Sequence, residues 1–258
     1  MSKRSPTEAV HDLCLAFDDS EAHHSHGFPD FRVNGKVFAQ YAVNHHGDGR
    51  VALWLNSPDG SQQDCVAMDS ESYFVPPYLG PRGWLGVNLD KNLSWDEIQY
   101  QVAEAYLHTS RSTELIEDVI PDVPPPTHPI DPVEFDAFND PDCRRQLEKI
   151  RSFCFSLPEV TEVPQFGNPS FKAGKKTFAT AYVVGGAPCA EIWVGKDQQS
   201  TLITDDRFSI PRYTGHNGWI QLKLKGPDCM DIFRELAVDS YKHFALKRML
   251  KELEEDSK

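Results

Sequence analysis

One internal repeat limits the possible folds of this 258-residue chain more than any other feature of its sequence. The segment Tyr213-Thr-Gly-His-Asn-Gly-Trp219 has a counterpart in the first half, Tyr78-Leu-Gly-Pro-Arg-Gly-Trp84. Each contains a tyrosine, a Gly-x-x-Gly pair and a tryptophan that opens an apolar run. This pattern predicts a tight turn into a strand, because glycine adopts backbone angles that a Cβ atom forbids. Two copies of one domain are therefore expected.

Two further segments extend the repeat into strands. Residues 29–39 match residues 169–179 at a constant offset of 140, and the Asn-Gly or Ala-Gly pair within each predicts a β-hairpin. Downstream, Val51-Ala-Leu-Trp54-Leu is matched with Ala190-Glu-Ile-Trp193-Val, which places one tryptophan of each copy at the same position. These patterns predict at least four strands per copy.

Apolar residues at helical spacing bracket the strands of each copy. They predict an opening helix over residues 7–17 and 147–157, and a closing helix that begins at the capping box Ser94-Trp-Asp-Glu97 in copy one. The second closing helix includes Ile232 and is extended through Leu253. The order helix, antiparallel strands, helix predicts an α+β fold in which the helices cover one face of each sheet.

Proline and charge divide the chain. Residues 111–142 contain seven prolines and many acids, which predicts an extended linker between domains at residues 1–110 and 143–258. Residues 1–142 carry 8 Lys/Arg against 24 Asp/Glu, whereas residues 143–258 carry 18 against 15. The first copy is thus expected to repel polyanions.

The compartment is predicted from features that the sequence lacks. No apolar run approaches the ~20 residues that cross a bilayer, and the N-terminus has no apolar signal-peptide core. The six cysteines form no Cys-x-x-Cys pair and are interpreted as reduced, buried side chains. A cytoplasmic protein without membrane contact is expected.

Strand alternation places two tryptophans per copy on the sheet face opposite the helices. In copy two, Trp219 alternates with the apolar Ile220, and Trp193 alternates with Ile192. Such a face is costly to leave in water. Either the two repeats or the linker cover these indoles through an intramolecular contact, or the indoles of copy two stack on a base or another flat ligand.

The motifs quoted above resemble the MmcQ/YjbR-like proteins. The resemblance rests on Phe171-Lys-Ala-Gly-Lys-Lys-Thr-Phe-Ala179, the Trp-bearing strands, the Tyr-x-Gly-x-x-Gly-Trp loop and a helix that leads to Lys247-Arg. It implies a frataxin-like α+β fold, sometimes compared with a double-wing DNA-binding arrangement. DNA is therefore the partner that the resemblance suggests, through the second domain.

The nucleic-acid hypothesis assigns phosphate contacts to basic residues and stacking to indoles of copy two. The predicted site residues are Lys172, Lys175, Lys176, Trp193, Arg212, His216, Trp219, Lys223 and Lys225. The alternatives are a protein that binds a small flat hydrophobic ligand, and a protein-interaction scaffold.

Enzymatic and metal motifs are missing from the sequence. It contains no Gly-x-Ser-x-Gly, no His-Glu-x-x-His, no P-loop and no dinucleotide fingerprint, so no catalytic residue and no cofactor are expected. The histidines of His23-His24-Ser-His26 and His45-His46 have ligand-like spacing, but they lie in polar loops and are interpreted as solvated. We expect a binding protein that is not an enzyme.

Overall fold

The computed structural model describes residues 3–25 and 28–255. Its contacts divide the chain into two compact units, residues 1–135 and 136–258. Each unit contains one six-stranded antiparallel sheet with helices. The predicted α+β fold in two copies is confirmed.

The first unit builds its sheet in the order β1-β2-β3-β4-β6-β5. Its core lies between this sheet and the helices α1 and α3, with Phe38 and Leu53 fully buried. The elements are α1 (Pro6–Leu15), β1 (Ser20–Ser25), β2 (Phe28–Val33), β3 (Lys36–Val43), β4 (Val51–Leu55), α2 (Ser61–Met68), β5 (Tyr73–Phe74), β6 (Leu85–Asn88), α3 (Trp95–Ser110) and α4 (Ile116–Val119).

The second unit repeats this topology in the order β11-β12-β10-β9-β8-β7. Helices α5 and α7 cover its core, which contains Phe178 and Ile192. We call the sheet face opposite these long helices the open face of each unit. The elements are α5 (Pro141–Cys154), β7 (Val160–Gln165), β8 (Asn168–Ala173), β9 (Lys176–Val184), β10 (Ala187–Trp193), α6 (Gly195–Leu202), β11 (Phe208–Ser209), β12 (Trp219–Lys223), α7 (Cys229–Phe244) and α8 (Lys247–Glu255).

The two glycines of each repeat loop have different tasks. The second, Gly83 or Gly218, has a φ of +84° or +85°, in the left-handed region that favours glycine. The first, Gly80 or Gly215, touches a preceding β-branched side chain so closely that a Cβ atom would overlap it. The predicted tight turn is confirmed in both copies.

Several elements differ from the prediction. The His-rich segment 18–27, expected to be a loop, contains β1, which pairs with β2. Alternation did not reveal this strand because the side chains at positions 21–23 are all exposed, so no buried apolar face marks it. Helices α2 and α6 were not predicted, since each buries only a small apolar surface. The closing helix of copy two stops at Phe244, and α8 follows after a break.

The segment predicted as a linker contains the division between the units, which falls between residues 135 and 136. Val123 is only 9 % exposed in the core of the first unit. Trp95 donates a hydrogen bond from Nε1 to the Val123 carbonyl at 2.7 Å. An apolar side chain and satisfied carbonyls therefore hold part of this proline-rich segment against the first unit.

Strand register corrects one sequence alignment. Trp54 pairs with Gln40 and Gly86. Their equivalents in the second sheet are Thr180 and Gln221, and the residue that pairs with both of these is Glu191. The match of Trp54 with Trp193 was therefore wrong by two residues. The length difference lies in the turn before the strand, residues 44–50 in copy one and Gly185-Gly186 in copy two, and sequence patterns cannot locate it.

Candidate functional site

Two tryptophans of the second unit meet at one end of its sheet. Trp193 and Trp219 are cross-strand neighbours, and both are half-buried. The Trp193 ring stacks on His243 with centroids 3.5 Å apart, and Trp219 lies parallel to Phe244 at 6.1 Å. The Trp193 Nε1 donates to the Asn217 carbonyl at 3.1 Å. We call Trp193, Trp219, His243 and Phe244 the aromatic end.

The position of these indoles differs from the expected stacking platform on the open face. His243 and Phe244 belong to the last turn of α7, the helix that covers the core. Trp193 ends β10 and Trp219 begins β12, so their indoles contact the helix terminus at the end of these two strands. The alternation itself is confirmed, since Ile220 and Leu222 are fully buried. A ligand at the aromatic end meets a ring cluster that is already packed.

Four predicted basic residues lie near the aromatic end. Lys172, Lys175 and Lys176 surround the β8–β9 turn. On β9, Ala179 pairs with Ile192, the residue before Trp193, and Lys176 lies three residues before Ala179. His216 adjoins Asn217, the acceptor of the Trp193 bond. Strand pairing and chain position thus place six of the nine predicted site residues, counting both indoles, at one end of the sheet.

Of the other three predicted residues, the two lysines lie toward the far end of β12. Lys223 pairs with Cys189, which pairs on its other side with Tyr182 of β9. Tyr182 is six residues from Lys176 along β9, which corresponds to about 20 Å at ~3.3 Å per residue. Lys225 follows beyond β12, and Arg212 lies over the ring of Tyr213. The predicted basic set is therefore not one continuous patch.

Three further lysines, which were not among the predicted site residues, join the aromatic end. Lys196 follows Gly195, where an added Cβ atom would lie 3.6 Å from the Trp193 ring. Lys242 precedes His243, which stacks on Trp193. Lys247 follows Leu246, which would lie 3.3 Å from a Cβ atom added to Gly174 of the β8–β9 turn. All three are exposed. The signal for Lys242 was the basic last turn of α7, since a helix C-terminus attracts cations, but only the fold shows that this end meets the tryptophans.

The open face of the second unit has a polar row across five strands. Its members pair in register: Ser170, Thr180, Glu191, Gln221 and Ser209. Thr180 donates to Ser170 at 3.1 Å, and Thr214 donates to Glu191 at 3.0 Å. Glu191 is 8 % exposed, and burial raises the pKa of its carboxyl above the ordinary value.

The same row in the first unit is aromatic at its centre. Its members are Asp30, Gln40, Trp54, Gly86 and Phe74. Trp54 is 4 % exposed and meets the edge of His45 at 4.7 Å. Burial lowers the pKa of His45 to about 4, with a smaller contribution from His46. The first unit therefore closes its own open face with apolar side chains.

The histidines of the first unit were predicted to be solvated. His23 is exposed and lies 3.2 Å from Glu21, and His46 is exposed, whereas His45 is half-buried against Trp54. Position 26 lies outside the described residues. Within residues 3–25 and 28–255, no three His, Cys, Asp or Glu side chains come together as a metal site would require.

The cysteines agree with their predicted form. All six are free thiols. Five are buried and Cys65 is half-buried. Burial raises the pKa of each Cys thiol, so these are weak nucleophiles at neutral pH.

Comparison with known proteins gives one family. The YjbR family model matches residues 15–108 and again residues 155–243. No curated protein matches the chain. In the described part of the chain, no helix has the length and apolar character that a membrane crossing needs.

Proposed function

Because the chain belongs to the YjbR family in both of its repeats, we propose that it is a non-enzymatic binding protein of this family whose second unit binds DNA at the aromatic end. The observation that supports this proposal is that six lysines lie at the same end of the sheet as that ring cluster. They are Lys172, Lys175, Lys176, Lys196, Lys242 and Lys247.

The chemistry fits a nucleic-acid strand. Lysine ammonium groups attract phosphates without sequence preference and release counterions. Half-buried indoles and the exposed His243 ring offer flat surfaces to unstacked bases. Single-stranded DNA gives both contacts at once, so we expect it to bind more tightly than duplex DNA.

The first unit supports the assignment by contrast. Its residues at the positions of the six lysines are Arg32, Gly35, Lys36, Asp59, Leu107 and Ser112. Two cations and one acid replace six cations, and one of the two cations, Arg32, pairs with Asp30. The first unit is therefore expected to contribute nothing to DNA affinity.

The first prediction concerns DNA affinity. We expect labelled single-stranded DNA to bind the full-length chain at about 50 mM salt. A plot of log K against log salt concentration should have a slope of roughly −3 to −4, as for ~5 single-strand phosphate contacts. The triple variant Lys175→Glu, Lys242→Glu, Lys247→Glu should lose at least about tenfold in affinity, measured by fluorescence anisotropy.

The matched control reverses three predicted basic residues that are not among the six lysines, Arg212→Glu, Lys223→Glu and Lys225→Glu. This variant has the same net charge and should bind much as the wild type does. Equal losses in both variants, or no binding at about 50 mM salt, would contradict the proposal. Tryptophan quenching by flat aromatic compounds at any salt concentration would instead support the small-molecule alternative.

A further inference from the structure

A groove of about 840 Å³ runs along the outer side of α5 in the second unit and reaches α7. It shares no residue with the aromatic end. We call it the helix groove. Its lining residues are Pro141, Arg144, Arg145, Glu148, Lys149, Ser152, Phe153, Ser156 and Arg234.

The helix groove is cationic around an apolar floor. Its lining has four cations, at positions 144, 145, 149 and 234, against the single acid Glu148. Phe153 is half-buried and packs edge-on against Phe233 at 5.9 Å. Arg234 pairs at 2.8 Å with Asp231, whose side chain is 77 % exposed. Solvent screens such a pair, so the guanidinium remains accessible to an added anion.

The first unit shows which segment lies in the equivalent groove. Tyr106 donates to the Asp18 carbonyl, and Tyr241 donates to the Pro158 carbonyl. These matching bonds show that residues of α3 correspond to residues 135 positions later in α7. They also show that residues of α1 correspond to residues 140 positions later in α5. Gln99 therefore corresponds to Arg234.

An extended segment of the first unit fills that groove. Gln99 donates to the Pro121 carbonyl at 2.6 Å, and Trp95 donates to the Val123 carbonyl at 2.7 Å. At the other side, the Thr127 amide donates to the Arg4 carbonyl at 2.8 Å. Val123 between them is buried at 9 % exposure.

The two grooves differ because the chain takes a different course after each closing helix. In the second unit α8 comes after α7 and packs elsewhere: its Met249 is fully buried in the core, and its Arg248 pairs with Glu159. The burial of the groove floor differs accordingly, since Leu13 of the first unit is fully buried whereas its counterpart Phe153 is half-buried. The helix groove is thus the uncovered counterpart of a covered one.

We propose that the helix groove binds an extended, acidic, proline-containing peptide segment of a partner protein. Two observations support this assignment. The first unit shows that this groove takes an extended proline-containing strand through its carbonyls, and the second unit replaces Gln99 by Arg234 and adds Arg145 and Lys149. An arginine donates to carbonyls and also pairs with carboxylates, so acidic side chains are selected.

The second prediction tests this groove with the chain's own segment as the probe. A labelled peptide of residues 113–131, which has five acids and no Lys or Arg, is titrated with the full-length protein at about 50 mM salt. We expect saturable binding. Replacing its acids by the matching amides should weaken binding at least about tenfold, as expected for several rim ion pairs.

Charge reversal locates the site. The variant Arg145→Glu, Lys149→Glu, Arg234→Glu should lose at least about tenfold in peptide affinity and keep its DNA affinity. The variant Lys175→Glu, Lys242→Glu, Lys247→Glu should show the opposite pattern, which makes each triple variant the control for the other. Thermal unfolding checks that both fold, and the single variant Lys149→Glu, expected to lose about twofold to threefold, replaces the triple variant if it does not.

Three results would overturn the proposal: no peptide binding up to about 0.5 mM, equal binding of the acidic and amide peptides, or equal loss in both variants. A loss of DNA binding in the aromatic-end variant has no bearing on the groove, so the two proposals fail separately.

Discussion

The open faces of the two units present the same five-strand row with opposite chemistry. In the first unit Trp54 fills the central position, and Phe74 covers Gly86 beside it. In the second unit the equivalent positions are Glu191, Ser209 and Gln221. One row is sealed by rings, whereas the other keeps a buried carboxyl among hydroxyls and an amide.

The core faces of the same sheets hardly differ. Phe38 and Phe178 are both fully buried. Gln62 donates to the carbonyls of Gly80 and Trp84, and Gln199 donates to those of Gly215 and Trp219. The two units therefore share the packing of their helix-covered face, whereas their open faces and their grooves differ.

The largest expected effect comes from the central position of the row. Trp54→Ala should destabilise the first unit by about 3–5 kcal/mol, because it removes a buried indole and leaves a cavity. The matched change Glu191→Ala in the second unit should cost no more than about 1 kcal/mol. Urea unfolding followed by hydrogen-exchange mass spectrometry separates the two units. Equal costs would show that the two rows are energetically alike.

An intermediate effect is expected beside it. A Cβ atom on Gly86 would lie 2.5 Å from the Phe74 ring, so Gly86→Ala should cost about 1–3 kcal/mol by overpacking. Adding Phe74→Ser, the residue type found at position 209, removes the obstructing ring. The double variant should therefore lose less stability than the sum of the single changes. Additive losses in a double-mutant cycle would show that ring and glycine do not depend on each other.

The smallest effect is a difference in pH response. The folded pKa of His45, about 4, lies below its unfolded value near 6.5, so the unfolded state binds more protons in that window and the first unit loses stability as pH falls through it. Burial raises the pKa of Glu191 above 4.5, so the second unit loses stability as pH rises above 4.5. His45→Gln and Glu191→Gln should each remove this pH dependence from their own unit.

The readout is the wild-type-minus-variant difference in unfolding free energy between pH 4 and 8, taken separately for each unit. The expected differences have opposite slopes. Parallel slopes would mean that other carboxylates control both units and that the two rows do not titrate differently.

Local sequence determined much of this protein. The repeat, the hairpins, the capping box at Ser94 and the Gly-x-x-Gly turns follow from backbone sterics and short-range hydrogen bonds. The buried face of β12 follows from alternation. Each of these depends on residues within one turn or strand, which is the range that a sequence pattern records.

Only the tertiary structure decided the surfaces. It matched Trp54 with Glu191, brought His243 and Phe244 to the two indoles, and showed a proline-rich segment lying on Gln99. These contacts join residues far apart in the chain. Their stability comes from the close packing of side chains that are distant in sequence, so no local sequence pattern predicts them.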